Sequence, residues 1–211
     1  MLHVSIEGQW SALDFAEYFA AVDQVYSVFA LIEIERRSAR EMERLFKGAV
    51  KFSPDQFRFM EGLMFRGLNS PAYISSRDGG QLDASAYKNP AALLSNDEKL
   101  RVRRCTYASP GATDFTGLGQ ALGHLKDIIF KCIEVSTSSQ ERKLTNEILK
   151  EKYNGEVLKN LKDRIEILKS VGYSDVQCRR ILSKVSPSVA KLESLANRGL
   201  VVDVSDDRAD G

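Results

Sequence analysis

The chain has 211 residues, and its 30 lysines and arginines against 29 aspartates and glutamates leave a formal net charge of +1. With 43% hydrophobic and 28% charged residues, 14 Gly and 5 Pro, it carries enough apolar material for one or two small cores, which excludes collagen-like, mucin-like and wholly disordered chains. Near-neutrality also removes the global charge signature of a general nucleic-acid or anionic-membrane binder and leaves only local basic patches to consider.

No stretch reaches the roughly 20 uninterrupted apolar residues of a membrane-spanning helix. The most apolar run, residues 25–34, contains Ser27 and Glu33. The N-terminus Met1-Leu2-His3-Val4-Ser5 has neither the basic start nor the long apolar core of a secretory signal, so the expected location is cytoplasmic. Cys105, Cys132 and Cys178 are odd in number and far apart. That spacing predicts reduced thiols and supplies no local disulfide framework or Cys-x-x-Cys pair.

Leu2-His3-Val4-Ser5-Ile6-Glu7 alternates apolar and polar residues, the period of a half-buried strand, and Gly8 ends it. From Ser11 the period changes. Phe15, Phe19, Val22, Tyr26 and Phe29 recur every three or four residues and predict a long amphipathic helix that runs to about residue 46 through a charged Glu/Arg-rich half. Ser53-Pro54-Asp55-Gln56 has the spacing of a capping box and predicts a short helix bearing Phe57, Met60, Leu63 and Met64. Residues 66–97, punctuated by Asn69-Ser70-Pro71, Asp78-Gly79-Gly80 and Lys88-Asn89-Pro90, show no sustained period and read as a long irregular loop.

A second strand is expected over residues 100–107. Ser109-Pro110-Gly111 follows it, and Phe115, Leu118, Leu122, Leu125, Ile129 and Cys132 then predict a second amphipathic helix. Asp14-Phe15 and Asp114-Phe115 stand at matching places, which raises two repeated strand-helix units, at residues 1–65 and 98–135. A C-terminal helical part covers about residues 138–204. In it Leu158, Leu161, Ile165 and Leu168 share one side and Gly172 is a stop. Ser174-Asp175-Val176-Gln177 opens one short helix, Ser186-Pro187-Ser188 opens another, and Asn197-Arg198-Gly199 closes it. Residues 200–204 are expected as a strand, and 205–211 as a disordered tail.

Chemistry-bearing motifs are few. His3 and His124 stand on different elements, and neither has a metal-binding partner at i+3 or i+4. The chain lacks Gly-x-Ser-x-Gly and any local Cys-His arrangement. Gly117-Leu118-Gly119, followed by Gly123, lacks the Lys-Ser/Thr of a phosphate loop and reads as a site of close helix packing. This set leans away from an enzyme and implies no cofactor and no metal.

Three binding candidates remain. A helix starting after Ser109-Pro110-Gly111 would present unpaired amides which, with Ser109, Gly111 and Arg104, form a candidate anion or nucleotide site opposed by Asp114. Arg36, Arg40 and Arg44 line one helix face, a candidate nucleic-acid stripe with Glu33, Glu41 and Glu43 close by. Arg179 and Arg180, with Lys184 and Lys191, add basic character to a C-terminal helix pair that has the outline of a helix-turn-helix.

The expected fold class is therefore α+β, a single elongated domain over residues 1–204 of mostly long amphipathic helices packed with a small sheet. The expected role is a non-catalytic cytoplasmic interaction or scaffold protein, or accessory subunit. It would act through helix faces as a homo-oligomer or with a protein partner, because the apolar stripes exceed what a small sheet can cover. The alternatives are a nucleic-acid-binding accessory protein and an anion-sensing or nucleotide-sensing module at Ser109 to Gly111.

Overall fold

The computed structural model describes residues 1–49, 89–107, 110–141 and 173–206, with the isolated positions 159, 162, 163 and 169. The helix expected at Ser53, most of the irregular region 66–97, most of the helical segment before Gly172, and residues 207–211 lie outside the described residues.

Strand β1, Leu2–Ile6, follows its alternation: Leu2, Val4 and Ile6 are buried while His3 and Ser5 face the other way. Gly8 then turns the chain at φ 78°, a left-handed conformation that favours glycine. Helix α1, Ala12–Ala49, starts on a reciprocal cap. The Ser11 amide donates to Asp14 Oδ2 at 2.9 Å and the Asp14 amide donates to Ser11 Oγ at 3.1 Å, which satisfies two backbone donors at the helix start. Residues Ala12–Ile34 are long and apolar enough by length and composition to cross a membrane. Here their apolar side forms the core, with Tyr18, Val22, Val25, Tyr26 and Phe29 fully buried.

After a 3-10 turn at Pro90–Leu93, strands β2 (Arg101–Thr106) and β3 (Gly111–Thr116) pair as an antiparallel hairpin. Helix α2 spans Gly119–Glu141, helix α3 spans Asp175–Asn197, and strand β4 spans Val201–Asp206. The sheet order is β2-β3-β1-β4, with every neighbouring pair antiparallel. Among the described residues, strand order and connectivity are those of a split β-α-β, ferredoxin-like arrangement whose second crossover carries α2 and α3. The fold class is α+β, as the sequence predicts.

Helix α1 packs against α2 and α3, which also pack against each other. The apolar stripes of the three helices meet Leu2, Val4, Ile6, Phe115, Val201 and Val204 in one core. The buried sides of α1, α2 and α3 thus cover one another within the chain, while Leu13, Phe130 and Val176 stay exposed on these helices.

Four expectations are corrected. Residues 111–116 form a strand, so Phe115 packs from the sheet and the helix starts at Gly119. The three-and-four spacing of Phe115, Leu118 and Leu122 crosses a strand, a turn and a helix that bury the same side. With Asp14 on a helix and Asp114 on a strand, those two residues are not equivalent; the matching halves are β1-α1 and β3-α2. The two short C-terminal helices are one helix, α3, which runs through Pro187. Val185, Val189 and Leu192 are buried on both sides of the proline, and this continuous packing outweighs the lost backbone hydrogen bond. Finally, β4 extends through Asp206, two residues into the expected tail.

Candidate functional site

With the three described helices against one face, the other face of the sheet carries His3 and Ser5 of β1, Asp114 and Ala112 of β3, Arg104 and Thr106 of β2, and Asp203 and Ser205 of β4. Register places Arg104, Asp114, His3 and Ser205 in one row across the four strands. His3 Nδ1 lies 2.6 Å from Asp114 Oδ1, with Asp114 buried beside it. Arg104 turns along its own strand, its Nε donating to Thr106 Oγ1 at 3.1 Å. The carboxylate thus orients one imidazole nitrogen, the arrangement of a general base and its orienting group. Among the described residues, Ser205 makes no hydrogen bond to His3, so the row holds no assembled nucleophile. The His3–Asp114 pair links β1 to β3 through side chains.

The two edges of the sheet differ in charge. Among the described residues β2 is one outer strand, exposed from Arg101 to Cys105, with Arg101, Arg103 and Arg104 on it. Its pairing with β3 shifts register between Val102 and Arg104, which marks a bulge at Arg103. Arg101 meets Asp97 at 3.2 Å, but both side chains are well exposed and such a pair stabilises little. Val102 is 50% and Tyr107 60% exposed. Tyr107 closes an aromatic cluster: its ring stands edge-on to Phe15 at 5.5 Å, and Phe15 stacks on Trp10 at 4.7 Å.

The opposite edge, β4, exposes Asp203, Ser205 and Asp206. Lys126 of α2 reaches Asp206 at 2.6 Å. Phe130, one turn further along the same side of α2, is 55% exposed. One edge is therefore cationic, the other anionic, and each has an exposed apolar group on the helix side.

The residues singled out from sequence fall apart in space. Gly111 is a buried residue at the start of β3, Arg104 is exposed on β2, and Ser109 lies outside the described residues. No helix begins at 111, so the amides that an anion site there required are hydrogen-bonded in the sheet. Arg36 pairs with Glu33 at 2.9 Å and also hydrogen-bonds Gln120, while Arg40 and Arg44 are exposed. Arg37 takes the other oxygen of Glu33 at 2.9 Å, so one buried glutamate faces two arginines at the start of the stripe. Arg179 and Arg180 are exposed on α3, with Arg179 Nε donating to the Asp175 carbonyl at 3.3 Å. Because α3 is continuous from Asp175 to Asn197, the helix pair expected there does not form a helix-turn-helix to place them in a groove.

The remaining electrostatics are structural. Hydrogen bonds from Arg198 and Ser11 hold the Asp14 carboxyl well below the usual carboxylate range. Burial pushes the Tyr18 phenol up, although its hydroxyl lies 2.8 Å from Thr113 Oγ1. Burial also pushes up the Cys132 thiol and leaves it an inert core residue. Among the described residues no three His, Cys, Asp or Glu side chains converge as a metal-holding group. Sequence reading passed over the His3–Asp114 pair because its members are 111 residues apart. It passed over the charge contrast between edges because that depends on strand order.

The chain matches no family model, no curated protein and no solved structure.

Proposed function

We propose that this chain is a non-catalytic cytoplasmic interaction protein, an accessory subunit or scaffold, whose working surface is the β2 side of the sheet. The carrying observation is the exposed outer strand Arg101–Thr106, lined by three arginines and flanked by exposed Val102 and Tyr107. An unpaired strand edge offers a row of backbone donors and acceptors to an extended segment, and pockets or charges beside it select the sequence that docks. Here the selected segment is acidic at positions facing the arginines and apolar at the position facing Val102. Most apolar residues of the described helix faces lie in the core, which supports the sheet edge over the helices as the interface.

Amide chemical shifts test this reading. Titration with peptides alternating Glu and Val should perturb Arg101 to Thr106 first, and the R103E/R104E variant should lose the response. Absence of any shift in β2 with these peptides and with the chain's own second copy would remove the reading.

A second reading, nucleic-acid binding, is favoured by the same arginines together with exposed Arg40 and Arg44. It predicts binding to single-stranded or double-stranded nucleic acid whose affinity falls steeply and linearly with salt on logarithmic axes.

A further inference from the structure

We infer that the partner taken by the β2 edge is a second copy of this chain, which docks through its β4 edge so that copies join head to tail. This rests on the reading of β2 as an interaction surface and adds its occupant.

Three observations converge on it. The first is charge. β2 carries Arg101, Arg103 and Arg104, whereas β4 carries Asp203 and Asp206. Pairing two β2 strands would set arginines against arginines, and pairing two β4 strands would set aspartates against aspartates; like charges across a strand pair are destabilising. Cations and a bulge are means by which an edge strand repels others of its kind. Against an acidic strand the same cations attract. Only the unlike pairing, β2 with β4, removes both repulsions.

The second is strand direction. β2 runs parallel to β1, because both are antiparallel to β3, and β4 runs antiparallel to β1. The two edges of one sheet are thus antiparallel to each other. A copy placed beside β2 in the same orientation presents β4 antiparallel to it, continues the hydrogen-bonding pattern, and keeps its helices on the same side.

The third is apolar cover. Exposed Val102 and Tyr107 lie at the β2 edge, and exposed Phe130 lies on α2 above β4, one turn beyond Lys126. Head-to-tail docking brings these two exposed apolar groups to the same junction. The interface is heterologous, so assembly yields a ring or an open filament and no closed two-fold dimer.

Sedimentation velocity on the full chain tests the proposal. The wild type should sediment faster as its concentration rises from about 1 μM to about 1 mM, the span of weak specific dissociation constants. That shift should be lost when salt is raised from about 0.05 M to about 0.5 M, since exposed charges are then screened. R103E/R104E alone and D203K alone should each remain monomeric. An equal mixture of the two variants should assemble again, because alternating copies then face unlike charges at every junction. The salt response of the wild type needs no variant, so a variant that failed to fold would not shield the proposal. A wild type that stays monomeric throughout overturns it. So does a closed dimer that D203K leaves intact. If the protein stays monomeric while acidic peptides still shift β2, the interaction reading stands and self-assembly alone is lost.

Discussion

The Tyr26 hydroxyl occupies the space that a side chain at Gly117 would need. From there it accepts the Leu118 amide at 2.7 Å and donates to the Glu98 carbonyl at 2.7 Å. One phenol of α1 thus ties together the approach to β2 and the turn between β3 and α2, and Gly117 is glycine because a helix side chain comes so close.

Substitutions at these two residues should be coupled. Gly117→Ala should destabilise by about 1–3 kcal/mol through overpacking against the phenol. Tyr26→Phe should cost about 1–2 kcal/mol by leaving a backbone donor and acceptor without their partner. Removing the hydroxyl relieves part of the overlap, so the double variant should cost less than the sum, with a coupling of about 0.5–3 kcal/mol. Chemical denaturation of the four proteins measures this. Simple additivity would mean that the two residues do not touch.

Acid should weaken the tie between the first and third helices. Arg198, the C-cap of α3, donates to Asp14 Oδ1 at 2.6 Å, and this bond is the largest cause of the lowered Asp14 pKa. A carboxylate with a depressed folded pKa contributes stability that is fully present above its unfolded value of about 3.9 and is lost as pH falls through the folded value. Arg198→Met should therefore lower the melting temperature at pH 7. The gap from wild type should narrow as pH drops below about 4. A gap that is constant from neutral pH to the acid limit would show that the ion pair contributes nothing.

Pro187 tests how α3 is held. The proline is exposed and interior to a helix whose buried side continues past it. Pro187→Ala restores the missing amide donor and removes the clash with the preceding turn, so it should raise stability by about 1–3 kcal/mol. A destabilised variant would mean that the proline marks a true break between two helices.

Much of the fold was legible locally. The alternation of Leu2, Val4 and Ile6, the start of α1 at Ser11, and the capping box at Ser174 and Gln177 each depend on residues a few positions apart. The β2-β3 hairpin was not legible, because Phe115 on a strand and Leu122 on a helix bury the same side of one core and so mimic a single helical stripe. Nor was the continuity of α3, since Ser186-Pro187 is as good a helix start as it is a tolerated interior proline. The candidate site was legible only as ingredients: Arg101, Arg103 and Arg104 were visible as a basic strand, but nothing local showed that this strand lies outermost.

Composition and period by themselves determined an α+β chain of long amphipathic helices and a small sheet, with a balanced charge spread over exposed faces. Tertiary structure alone decided where that balance divides. Strand order β2-β3-β1-β4 carries the arginines to one edge and the aspartates of β4 to the other. Register brings His3 to Asp114 across 111 residues. Both follow from pairing between distant strands, and pairing is selected by the burial of Leu2, Val4, Phe115 and Val204 against three helices at once, a condition that no short window of sequence contains.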